Sequence, residues 1–98
     1  MMSDTGAQRP TDLAAARAIL EAEGCSSPRS WANEPGDRYG RHEHPFHKVL
    51  FCLSGSIVFH TDDGDVELTP GDRLDLGPGT AHAATVGREG CECVEASR

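Results

Sequence analysis

The chain has 98 residues, 16 acidic against 9 basic, a formal charge of −7 and 37% hydrophobic residues, which leaves room for one domain around one compact core. The acidic balance opposes phosphate backbones and anionic membranes, both of which bind through excess Lys and Arg, so neither nucleic acid nor a membrane is an expected partner. The lean apolar content favours a homodimer that hides one sheet.

The first ten residues, Met1 to Pro10, are polar and predict a flexible N-terminus. They lack the apolar segment of a secretory signal, and no later run approaches the ~20 apolar residues of a membrane span. A cytoplasmic protein is therefore expected, and its cysteines Cys25, Cys52, Cys91 and Cys93 are expected to stay reduced. The single domain is expected over 11–98, with a helix at 12–23 and a barrel at about 28–96. Thr11 is placed to cap the helix. Leu13, Ala16, Ile19 and Leu20 form an apolar stripe at helical spacing, and Gly24 ends the element.

After Gly24 short runs alternate with turn signals, the pattern of a small all-β domain. The expected strands are Arg29–Asn33, Arg38–His44, Lys48–Leu53, Ser56–Thr61, Asp65–Leu68, Arg73–Leu76, Ala81–Val86 and Cys91–Glu95. Ser54-Gly55 and Asp63-Gly64 suit hairpins, and Pro70-Gly71 and Pro78-Gly79 punctuate the later strands. Strands this short, joined by tight turns, suggest a closed barrel or sandwich. Asp72 is expected to fix its turn through backbone hydrogen bonds, and Arg73 to pair with Asp75.

Residues two apart on a strand share a face, so His42 and His44 aim together. Neutral imidazole is a good donor for zinc, iron, nickel or manganese. Taken alone, the pair reads equally well as a solvated strand edge. The surrounding pattern is longer. Gly36, His42, His44 and Gly55, then Gly71, Gly79 and His82, resemble in order and register the two sequence motifs of the cupin superfamily. In that pattern Gly77 stands where a proline is usual and Val86 where an asparagine is usual. The resemblance implies an all-β fold, a double-stranded β-helix (jelly-roll or cupin barrel) with one short N-terminal α-helix. It also implies a divalent transition metal held by His42, His44 and His82 near one mouth of the barrel.

The largest departure is Lys48, where the family usually supplies a glutamate ligand. An ammonium donates hydrogen bonds and cannot ligate. Three arrangements are open: Lys48 swings away from a three-histidine site, it stays and pairs with a substrate carboxylate, or the site holds no metal. His47 is the less favoured substitute ligand, because regular alternation turns it outward unless Pro45 marks a bulge. Glu43 and His60 are read as solvated. Cys91 and Cys93 are read as small buried residues, whereas Cys52, which shares parity with Lys48, is read as lining the ligand pocket with Lys48 and Tyr39. No catalytic residue is assigned. The function expected is a metal-binding barrel holding a small organic ligand or substrate, with oxygenase-type chemistry if it is an enzyme. The alternatives are a non-catalytic ligand-binding or sensor module, or a metal-free barrel in which Lys48 holds an anionic ligand.

Overall fold

A computed structural model describes residues 9–98. The first element is helix α1, Leu13–Ala22. Asp12, rather than Thr11, caps it: the Asp12 carboxylate accepts from the Ala15 N–H at 2.8 Å, satisfying a donor that the first turn leaves free. Gly24 follows with φ +79°, as a helix-ending glycine should. Of the residues expected to be flexible, Met1–Gln8 lie outside the described part. Arg9 pairs with Asp72 at 2.8 Å, and Pro10 is buried.

Six strands follow: β1 Ser26–Asn33, β2 Arg38–His42, β3 Lys48–Thr61, β4 Gly64–Leu68, β5 Arg73–Leu76 and β6 His82–Ser97. Two of them are long. β3 and β6 run antiparallel along their whole length, from Lys48↔Ser97 to Thr61↔His82. Each is shared between two sheets. The first half of β3 pairs with β5 and its second half with β4. The second half of β6 pairs with β1 and its first half with β2. The sheets β1-β6-β3-β5 and β2-β6-β3-β4 thus fold face to face, giving the expected all-β double-stranded β-helix with one short helix.

Two expected strand boundaries are therefore internal bends. Ser54-Gly55 makes no hairpin; it lies where β3 turns from one sheet into the other, and the segments expected at 81–86 and 91–95 are the two halves of β6. Gly55 and Gly90 allow this corner. Both have positive φ, +69° and +74°, and a Cβ on Gly55 would sit 2.0 Å from the Gly90 carbonyl oxygen. Only a residue without a side chain fits so close a backbone crossing. Asp63-Gly64 does close a hairpin, with Thr61 opposite Gly64.

The bend also exchanges which residues face inward. Before it, Leu50 and Cys52 fill the barrel; after it, Ile57 and Phe59 do, together with Leu68, Leu76, Ala84, Val86, Cys91 and Cys93. The residues between them, Val49, Phe51 and Leu53, turn outward with Val94 and Ala96 and are covered by Ala16 and Leu20 of the helix. A helix lies on one sheet because that sheet is apolar on both faces. Asp72 holds its turn by accepting from the N–H and hydroxyl of Thr69 at 2.9 and 3.0 Å. Arg73 pairs with Asp75 at 2.7 Å and, beyond expectation, with Glu23 of the helix end at 2.6 Å.

Candidate functional site

The three histidines reach one point by three different local devices. His82 opens β6, and alternation puts its side chain inside with Ala84 and Val86; it is 2% exposed. His42 closes β2 directly opposite His82 after a register shift between Tyr39 and His42. His44 is not on the strand. The expected element Arg38–His44 ends at His42, so strand alternation does not align the pair. Instead His44 lies in the loop leading to β3, where its carbonyl accepts from the Gly79 N–H at 2.7 Å. The Pro78-Gly79 turn thus anchors the loop that carries it.

The result is a tight cluster. One ligand atom from each of the three imidazoles lies within 4.8 Å of the others, and the ring centroids are 4.3 Å (His42–His82), 4.9 Å (His42–His44) and 5.4 Å (His44–His82) apart. Two rings are oriented by their own backbone: His42 Nδ1 donates to the Gly40 carbonyl at 2.7 Å and His82 Nδ1 to the Thr80 carbonyl at 2.8 Å. Since a carbonyl can only accept, each Nδ1 carries the proton and each Nε2 keeps a free lone pair. His44 Nε2 is buried with no hydrogen-bond partner, an arrangement that costs free energy unless something else satisfies it. Burial pushes His44 below its ordinary value near 6.5, and the nearby Lys48 charge adds to that. Burial likewise pushes His82 down, against the opposing effect of its bond to Thr80. Neutral, backbone-oriented imidazoles with free lone pairs suit a transition metal. Phe46 stacks on the His44 ring at 5.2 Å.

Below the cluster opens a cavity of about 410 Å3, within the range of small-molecule sites. Leu50, Phe59 and Ala84 give it apolar walls, and His42, His82 and Tyr39 border it. Lys48 does not swing out. Its side chain is 12% exposed, in the cavity wall, with Nζ 3.3 Å from a Glu95 carboxylate oxygen. Glu95 also accepts from Trp31 Nε1 at 2.9 Å and meets Arg29 at 3.5 Å. The positive charge at the usual glutamate position is thus balanced from the neighbouring strand.

Tyr39 stands on the cavity wall, its hydroxyl donating to Asn33 at 2.7 Å. Cys52 does not line the cavity. It is wholly buried in the core opposite Cys93, its thiol donating to the Ser54 carbonyl at 3.4 Å. His47, in the loop before β3, lies 3.3 Å from Asp75. Glu43 is exposed. His60 is less solvated than expected, held between Asp65 at 2.8 Å and the Thr85 hydroxyl at 2.9 Å. The residue that sequence reasoning missed is Glu95. Its signal was present, since Cys91, Cys93 and Glu95 share one face by alternation, but nothing local says that this face meets Lys48.

Known proteins resemble the chain in the same region. Residues 28–93 match the model of the AraC-like ligand binding domain family. Over 49 residues the chain is 37% identical to quercetin 2,3-dioxygenase from Bacillus subtilis, covering 49% of this chain and 14% of that protein. Among solved structures, a protein with a double-stranded β-helix domain from Klebsiella pneumoniae superposes with a TM-score of 0.64 at 26% identity, covering 71% of this chain and 64% of the other. A DMSP lyase from Ruegeria pomeroyi superposes with a TM-score of 0.68 at 24% identity, covering 72% and 36%. The chain spans less than two thirds of each of these relatives. The matched segment takes in all of β3, most of β6 and all three histidines, and the chain belongs to the AraC-like ligand binding domain family as a small cupin.

Proposed function

We propose that His42, His44 and His82 hold one divalent transition metal at the barrel mouth, and that the cavity beneath holds a small organic ligand against it. The observation that carries this reading is the unpartnered, buried Nε2 of His44, set among two imidazoles whose backbone bonds leave their own Nε2 lone pairs free. When bound, such a metal supplies Lewis acidity or redox capacity to a chelating substrate. The protein's own contribution is orientation and exclusion of water: Gly40 and Thr80 fix two rings, Phe46 covers the third, and Leu50, Phe59 and Ala84 keep the cavity floor apolar. The dioxygenase relative supports oxygenase-type chemistry as the catalytic form of this reading. The test is elemental analysis of protein purified without a histidine tag. Near-stoichiometric iron, zinc, nickel or manganese is expected in the wild type, and loss of it in His42→Ala and His82→Ala variants that keep the β-sheet circular dichroism spectrum. Full metal content in both variants refutes the site.

A non-catalytic ligand-binding or sensor module is the second reading. It is favoured by the matched family's description as a ligand-binding domain and by the state of Glu95, the one carboxylate lining the cavity among the described residues, which is committed to Lys48, Trp31 and Arg29. Oxygen uptake with small thiols, diketones and phenolic acids separates the two, because only a catalyst consumes dioxygen in proportion to substrate. The reading includes a homodimer, supported by the lean apolar content and checked by sedimentation velocity, and a cytoplasmic location, checked by cell fractionation.

A further inference from the structure

The whole chain carries a net charge of −7, yet the charged wall of the cavity is of the opposite sign. Lys48 and Arg29 face it with a single acidic residue, Glu95, between them. Arg29 is mostly exposed, at 78%, so solvent screens it, whereas Lys48 at 12% is held inside. An ammonium has three N–H donors, and Glu95 is the one carboxylate recorded against Nζ among the described residues, as an ion pair at 3.3 Å. A nearly buried cation with donor capacity to spare thus lines the same cavity that His42 and His82 border. Glu95 keeps it there. Its carboxylate is itself fixed by Trp31 Nε1 at 2.9 Å, so the Lys48 ammonium is tied to the cavity wall.

We infer that the ligand of this cavity is a small organic acid held at two points, its carboxylate on Lys48 and a metal-chelating group at the histidines, with Glu95 as the positioning residue for Lys48. The inference rests on the reading of the cavity as a ligand site and adds the charge class of what fills it. A neutral ligand of the same shape displaces water from Lys48 without replacing the hydrogen bonds that water made, which is how a polar site rejects an analogue lacking the matching group. The acidic surface does not oppose this selection, because charges beyond a Debye length of about 8 Å are screened at physiological salt.

The test compares 3,4-dihydroxybenzoate with 3,4-dihydroxybenzamide, which share a chelating catechol and differ in the charged group. Binding to the zinc-loaded wild type is measured by calorimetry, with metal content determined on the same samples. The acid is expected to bind at least about tenfold more tightly than the amide, equivalent to about 1.4 kcal/mol. Lys48→Met should erase that preference without lowering the zinc content, and Lys48→Arg should keep most of it. Equal binding of the two probes by the wild type, binding of neither, or an undiminished preference in a folded Lys48→Met variant overturns the inference. Wild-type protein that takes up no zinc but still prefers the acid refutes the metal reading and leaves the carboxylate site standing.

Discussion

Removing the Glu95 carboxylate, as Glu95→Ala, isolates the electrostatic arrangement of the cavity wall. Lys48 and Glu95 are 12% and 13% exposed and 3.3 Å apart. Deleting one partner of a buried pair leaves an uncompensated charge and costs about 3–5 kcal/mol; the cavity admits water to Lys48, which favours the lower end. Trp31 loses its only recorded acceptor as well, adding about 1 kcal/mol. The total, about 4 kcal/mol, is a large fraction of the roughly 5–15 kcal/mol expected for a domain of this kind. Trp31 is the single tryptophan and touches the site of the change, so urea unfolding can be followed by its fluorescence, with circular dichroism as a second probe. Replacing both partners, as Lys48→Met with Glu95→Leu, should restore most of the loss, because two apolar side chains leave no unpaired charge. A loss below about 1 kcal/mol in Glu95→Ala, within the range of an exposed pair, shows that solvent already screens Lys48 and refutes the description of a desolvated pair.

Lys48→Glu places a second carboxylate beside Glu95, so the metal-free variant should melt below the wild type, while added zinc should raise its Tm by more than it raises that of the wild type; differential scanning fluorimetry with and without zinc checks both signs. His44 and His82 titrate below their ordinary value near 6.5, so the unfolded chain takes up protons first as pH falls. Stability is therefore full above about pH 6.5 and declines below it until the folded-state values are passed, with His82 contributing at most about 1.4 kcal/mol per pH unit and the rim residue His44 less; a urea midpoint unchanged between pH 7 and pH 5 in wild type, yet shifted in His82→Ala, contradicts this. Gly55→Ala, which drives a Cβ into the Gly90 carbonyl at positive φ, should cost more than about 4 kcal/mol and abolish soluble folded protein. Gly40→Ala meets nothing within 4 Å and should stay within about 1 kcal/mol of wild type in the same unfolding assay.

Much of the site was legible because its signals are local or periodic. The His-X-His pair, the glycines at 36, 55, 71 and 79, and His82 lie in an order that points to the fold and singles out three imidazoles that the structure brings together. Strand alternation nevertheless does not bring His42 and His44 together, since His44 lies past the end of β2 and is held by Gly79. Parity with Lys48 points Cys52 into the barrel, but parity alone does not say how deep along the strand the cavity reaches.

The amino-acid order by itself determined the alternation of apolar and polar residues, the helix and its stop, most of the turns, and the three imidazoles. These depend on neighbours a few positions apart. Only the tertiary structure decided that Ser54-Gly55 bends one strand between two sheets, that Glu95 faces Lys48 across 47 positions of chain, and that both line one cavity with His42 and His82. Those outcomes depend on which strands become neighbours and where their register shifts, and pairing across long separations is set by the packing of the whole barrel, which no short window of sequence encodes.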